Sequence, residues 1–399
     1  MKGNMNMNKK SFYVFIFKSI LYLCILAPFF RVDSISYLFP QFLNIFKYGR
    51  IISFLIIVIM FVIDKKISKI IIFILLYLLG LLTSSILNPS LSLFESLIFI
   101  SNIITLCMIC DYGIRHDLKI LLNSLIVILL TLSLVNLYSL FRYPYGMYVN
   151  AEGYVKNWVL GYKNSLILYL LPLITFTSLK SLIFKNKVDL LAIISFGVSL
   201  LSILIVNSST GIIGLGIITL YFIFRKFIAN YSDIFNSNNY AIAYLVAFFS
   251  IIVLRIQKFF SFLIVDLLHK DLTFTGRVYI WDSVFEYIKQ RPLLGYGNLV
   301  FQYSSNIIST HNAILDVLYR SGFVGLGFYM LIVFSTLYKL YQNRKNHIAL
   351  FLAIILFAYF IMMFTEAFNI SYYFYILVFC YNIKYLIDEN NLHIRKDVK

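Results

Sequence analysis

Apolar runs of about 17 to 25 residues recur from one end of the chain to the other, each long enough to cross a hydrocarbon core of about 30 Å at about 1.5 Å per helical residue. Counting them predicts about twelve membrane-spanning helices, near residues 12–30, 48–63, 70–87, 91–110, 118–141, 160–179, 189–207, 209–224, 240–254, 322–341, 348–365 and 369–387. The expected fold class is an all-α integral membrane protein, a single polytopic domain over 1–399 without a soluble domain or a Gly- or Ser-rich linker. The first run ends in APFFRVDS, which lacks a small-residue cleavage pattern, so it reads as a retained helix.

Three connections exceed a tight turn. Residues 31–47 are half apolar and suit the membrane interface. Residues 142–159 are polar and aromatic, and the stretch from Arg255 to His311, between spans 9 and 10, is the longest. Long loops in compact architectures are usually functional or disordered, and this one carries order. Within GRVYIWDSVFEYIKQRP, apolar Ile280, Trp281, Val284, Phe285 and Ile288 form a helical stripe, with Asp282, Glu286 and Lys289 off it and Thr275 placed as N-cap. Pro292 stops that helix, LLGYGN follows as a turn, and AILDVLYRSG reads as a second amphipathic helix along the membrane surface before a span begins at Gly322.

Composition agrees: 61% of residues are hydrophobic and the mean hydropathy is +0.87. A net charge of +17 would suggest nucleic acid in a soluble chain, but in a polytopic one the cations must first be sorted by loop. With the N-terminus inside, that side holds about 20 of the 34 Lys and Arg, against about 6 in the short loops opposite. Both termini, including the tail 388–399, are therefore expected in the cytoplasm, the 255–311 loop outside it, and nucleic acid is not an expected partner. Cys24, Cys107, Cys110 and Cys380 all fall in apolar runs and read as packing residues, the CMIC spacing included.

The loop residues resemble a known family. GRVYIWDSVFEYIKQRPLLGYGN, followed by THNAILDVLYRSGFVGLGFYML, is similar to the large outer loop of the O-antigen polymerase and O-antigen ligase superfamily. Gly276, Arg277, Trp281, Pro292, Gly295 and Gly297 fit its first block, and His311, Asn312, Leu315, Gly322 and Gly325 its second. Weaker matches are GYKNSLILYLLPL at 161–173 and NSSTGIIGLG at 207–216. Where many members carry an arginine beside the Thr-Gly pair, this chain has Ser208, Ser209 and Thr210, so a phosphate-binding role there is not carried over. A second cation would come from Arg142, Lys163 or Arg291.

The resemblance implies transfer of glycan from a polyprenyl-diphosphate-linked oligosaccharide at the outer face of the cytoplasmic membrane, with membrane lipid, a chain-length regulator and a flippase as partners. Such chemistry needs a base for the acceptor hydroxyl and a cation for the departing diphosphate. Histidine serves as base near neutral pH, and arginine binds paired phosphate oxygens through its planar fork. Of five histidines, only His269 and His311 fall outside in this topology, and only His311 lies in a motif. The expected catalytic residues are His311 and Arg277. Arg142, Lys163, Asn164, Trp281, Arg291 and Asn312 are the expected substrate-binding residues.

Each has a plainer reading. Arg277 sits near a helix start, where the macrodipole disfavours a cation, so an anionic partner is the more economical account. Asn312 orients His311 or caps the next helix, Trp281 fits a core more than a sugar platform, and Asp316 and Arg320 read as a solvated i,i+4 pair. Tyr143, Tyr145, Tyr148, Tyr154 and Trp158 form an interfacial belt or a sugar surface among Arg142, Glu152, Lys156 and Lys163. Glu95 is either an intramembrane acid or an interfacial one. No His-carboxylate cluster has metal-ligand spacing, so catalysis is expected to need neither metal nor cofactor. Abundant Ile, Phe, Asn, Lys and Tyr point to an AT-rich genome, making capsule or exopolysaccharide as plausible a product as O-antigen. The resemblance thus implies first a polysaccharide polymerase joining lipid-linked repeat units; the sister ligase activity and a flippase-type transporter stay open, although a transporter would concentrate its charges at the midplane.

Overall fold

The computed structural model describes residues 9–149, 155–256, 276–303, 306–307, 309–368 and 372–397. Their helices in chain order are α1 (Lys9–Leu26), α2 (Asp33–Leu38), α3 (Leu43–Asp64), α4 (Lys69–Ile86), α5 (Leu93–His116), α6 (Leu118–Arg142), α7 (Ile167–Lys185), α8 (Leu190–Val206), α9 (Ser209–Asn230), α10 (Ser237–Ala247), α11 (Arg277–Gln290), α12 (Ala313–Gln342), α13 (His347–Met363), α14 (Phe374–Tyr381) and α15 (Ile383–Asp397). Short strands β1 (Tyr148–Val149), β2 (Lys156–Trp158) and β3 (Gly161–Tyr162) make one antiparallel sheet, and β4 (Gln302–Tyr303) and β5 (Asn306–Ile307) a hairpin. Thr275, the expected N-cap, lies outside the described residues, and Gly276 occupies the cap position of α11.

Among the described residues, 8 helices are long and apolar enough to cross a membrane, and apolar Leu190–Val206, Ser237–Val253 and His347–Met363 are shorter. A 17-residue helix rises only about 25 Å, a few ångströms short of the hydrocarbon thickness, so length alone separates these three from the rest. The helix expected at 160–179 begins later, at Ile167, because residues 161–162 are taken by β3. Lipid-facing character is plain in exposed Phe17, Ile63, Val62 and Leu190, each about two-thirds or more accessible. Hydroxyls within the helices turn back on their own ladders: Ser84, Ser85, Thr175, Ser199 and Thr336 each donate to the carbonyl four residues earlier.

The chain forms two compact units. The first comprises residues 1–66, 105–212 and 384–399. Here α6, α7 and α8 pack together, and α7 is buried along almost its whole length. Asp189 caps α8 by accepting from the Ala192 amide at 3.1 Å, and the Lys185 ammonium at 2.7 Å helps hold its carboxyl below the ordinary value against the opposing effect of burial. Glu366 and the loop helix belong to the second unit, residues 67–104 and 213–383.

In that second unit α12 packs on α4, α14 and α11, and its backbone breaks at Gly322, with φ 60° and ψ −164°. The expected junction between a short helix and a span is therefore present, and the turn after α11 mends it. Tyr296 and Gly297 amides donate to the carbonyls of Tyr319 and Arg320 at 2.9 and 2.7 Å, while Phe323 and Val324 donate to Pro292 and Leu293 at 2.8 and 3.2 Å. These two carbonyls and two amides beside the break thus find partners in PLLGYG. A Cβ at Gly322 would strike the Leu293 carbonyl, and one at Gly295 the Tyr319 carbonyl oxygen. Gly322→Ala should thus cost roughly 3 kcal/mol or more, from the strained backbone and the clash together. Gly327→Ala, in open space on the same helix, is the control: thermal unfolding in detergent should separate the two by several degrees, and equal stability would contradict the staple.

Candidate functional site

Arg277, the first residue of α11, has its guanidinium held by a carboxylate from the turn after α13: Nη2 lies 3.0 Å from Glu366 Oε1. The anionic partner that its position calls for is thus supplied from within the chain. His311 sits immediately before the N-cap of α12, and its Nδ1 faces the other oxygen of the same carboxylate, Oε2, at 3.7 Å. That separation is beyond a hydrogen bond, and Nδ1 is buried without one. The His311 side chain is 24% exposed, so its accessible part is the rest of the ring, away from Nδ1. The two residues expected to be catalytic therefore meet on one shared acid that sequence reasoning had passed over.

The local chain explains why His311 stays there. Its φ of 53° is left-handed, an uncommon conformation for a residue with a side chain, and its amide donates to Ser309 Oγ at 3.2 Å. The following residue anchors the bend. Asn312 Oδ1 accepts from the Leu315 amide and its Nδ2 donates to the Phe364 carbonyl, both at 3.1 Å. Asn312 is thus a cap that ties the start of α12 to the turn bearing Glu366; it does not bond His311 itself. Thr310 closes the other side by donating to Asp316 Oδ1 at 3.3 Å.

Trp281 is fully buried, meeting the Phe364 ring edge-on with centroids 6.4 Å apart, and so presents no free face to a sugar. Its stripe is as expected, with Ile280, Val284 and Ile288 buried and Phe285 half-buried. Over its ring, 5.5 Å from the centroid, lies Arg255, which pairs with Asp282 at 2.5 Å and keeps Nη1 buried without a hydrogen bond. Arg255 is a second cation, one helical turn from Arg277 through Trp281, and sequence reasoning missed it too. Arg291 stacks on Tyr296 at 5.0 Å, where burial raises the Tyr296 hydroxyl pKa and the guanidinium offsets part of the rise.

Arg142, Lys163 and Asn164 belong to the first unit. Arg142 and Lys163 lie over the rings of Tyr143 and Tyr162 at 5.6 and 6.0 Å. Asn164 Oδ1 accepts from Ser208 Oγ at 2.9 Å, which joins the two weaker sequence blocks to each other. The Asp316 and Arg320 pair exists, at 2.8 Å, but is corrected from solvated to largely buried: Arg320 also reaches Asn298 at 3.0 Å. Glu95 is exposed in the first turn of α5, where the helix dipole favours an acid. His269, Tyr154 and Glu152 lie outside the described residues. All four cysteines are free, with Cys107, Cys110 and Cys380 buried and Cys24 exposed. Among the described residues, no group of three or more His, Cys, Asp or Glu is placed to hold a metal ion.

Residues 194–330, a third of the chain that includes Arg255, Arg277, His311 and Asn312, match the family model described as O-antigen ligase. Glu366 lies beyond the matched region. No curated protein matches the chain.

Proposed function

On the premise that residues 194–330 are an O-antigen ligase family region in a multi-pass membrane protein, we propose that the protein is a polysaccharide polymerase. It joins polyprenyl-diphosphate-linked repeat units at the outer face of the cytoplasmic membrane, building capsule, exopolysaccharide or O-antigen. The observation that carries this reading is the convergence of His311 and Arg277 on Glu366. A base and a diphosphate-binding cation are what the reaction requires, and they are 34 residues apart in sequence.

In this account His311 takes the proton from the acceptor hydroxyl through Nε2 as that oxygen attacks the anomeric carbon. The bond from that carbon to the lipid diphosphate breaks, and its electrons leave with the diphosphate oxygen. Arg277 and Arg255 neutralise that charge, which answers the absence of an arginine beside Thr210. The proton then passes from His311 to solvent or to the departing diphosphate, so no metal is needed. Arg277 and His311 stand at helix starts and Glu366 in the turn after α13, unlike the mid-span charges of a transporter.

The description of the matched family favours a second reading, transfer of finished glycan to a lipid or protein acceptor. Gene deletion separates the two. Loss of the polymer's chain-length ladder is the expected result; a full ladder left on the lipid carrier would make the protein a ligase. A flippase and a chain-length regulator are the partners this reading places beside it.

A further inference from the structure

Glu366 divides its carboxylate unequally. One oxygen is hydrogen-bonded to Arg277 at 3.0 Å, and the other stops 3.7 Å short of a buried His311 Nδ1 that has no hydrogen bond. Arg277 Nε is likewise buried without one. Both side chains are thus only partly satisfied while they share one acid, and buried polar groups in that condition are costly. A lipid-linked diphosphate brings several anionic oxygens, and a guanidinium binds such a group through two parallel hydrogen bonds.

We propose that Glu366 is a positioning residue that passes from Arg277 to His311 when a diphosphate donor binds. This rests on the reading of Arg277 as a diphosphate ligand. The diphosphate takes the guanidinium, the released carboxylate closes on Nδ1 by about 0.8 Å to reach hydrogen-bond length, and Nδ1–H donates to it. That bond fixes the ring with Nε2 toward the acceptor and stabilises the imidazolium formed when Nε2 accepts the hydroxyl proton, as an acid behind a histidine base does elsewhere. The movement is small because His311 and Glu366 are already tied together: Asn312 bonds the Phe364 carbonyl at 3.1 Å, two residues before the acid. His311 is therefore oriented as a base only after donor has bound, and the enzyme binds donor before acceptor.

The hand-over makes an unusual pair of expectations for Glu366→Gln. Removing the competing charge frees Arg277, so geranylgeranyl diphosphate, used as the probe, should bind about 5-fold or more tightly. Turnover should fall about 10²-fold because the imidazolium loses its carboxylate. A merely structural Glu366, needed to hold Arg277 in place, gives the opposite sign in the binding arm. Glu366→Asp, which keeps the charge, should bind the probe nearly as wild type does and recover part of the turnover. Independently of any variant, wild-type protein with ¹⁵N-labelled histidine should show a hydrogen-bonded His311 Nδ1–H only after the probe is added. Weaker probe binding by Glu366→Gln, or a His311 signal indifferent to the probe, overturns the hand-over alone. Absence of probe binding by wild-type protein overturns the hand-over together with the diphosphate reading beneath it.

Discussion

His311→Ala is expected to lower the rate of glycan transfer by about 10²- to 10⁴-fold, the range a positioned general base supplies. The protein should remain folded. The ring is partly exposed at 24%, its Nδ1 makes no hydrogen bond, and the bend around it is held by its own amide and by Asn312. Removing the imidazole also releases one claim on Glu366 and leaves the Arg277 pair at 3.0 Å untouched. Donor binding should therefore survive, and the loss should appear in turnover. Initial rates of chain extension across donor concentrations check this; a rise in KM at unchanged turnover would remove His311 from the role of base.

The second large effect is expected for Arg277→Lys, which keeps the charge and loses the fork. A lysine at the start of α11 supplies one point charge where two parallel hydrogen bonds are needed, and the efficiency of transfer should fall about 10²- to 10³-fold, as it does when a donor to a developing anion is removed. Because the same change loosens Glu366, the loss should divide between weaker donor binding and slower turnover, unlike that of His311→Ala. Titration with geranylgeranyl diphosphate alongside the rates resolves the division. Retention of wild-type probe affinity in Arg277→Lys would show that the diphosphate is held elsewhere.

Much of this site was legible in the residues, for identifiable reasons. The loop helix announced itself because Ile280, Trp281, Val284 and Ile288 recur at helical spacing and are buried on one face, while Asp282, Glu286 and Lys289 are exposed. The break at Gly322 was readable from a glycine between an amphipathic stretch and an apolar one. Glu366 was not, because it follows a long apolar run and meets Arg277 across 89 positions; no spacing rule joins residues brought together only by the packing of separate helices. Arg255 was hidden similarly at the end of a span. The spacing of Asp316 and Arg320 gave the pair but not its burial, which depends on the LLGYGN turn folding over it. Strands of 2 or 3 residues, such as Tyr148–Val149 and Lys156–Trp158, are too short for alternation to register, and so the start of α7 was placed early.

The central claim is that one carboxylate gathers the base and the diphosphate cation of a lipid-to-glycan transfer. Its most direct test is purified protein in lipid nanodiscs, supplied with polyprenyl-diphosphate-linked repeat units, with extended glycan and free polyprenyl diphosphate measured together. Wild-type protein should release one polyprenyl diphosphate for each new glycosidic bond, and His311→Ala should form both products about 10²- to 10⁴-fold more slowly while still binding geranylgeranyl diphosphate. Chain extension by His311→Ala at the wild-type rate would contradict the account.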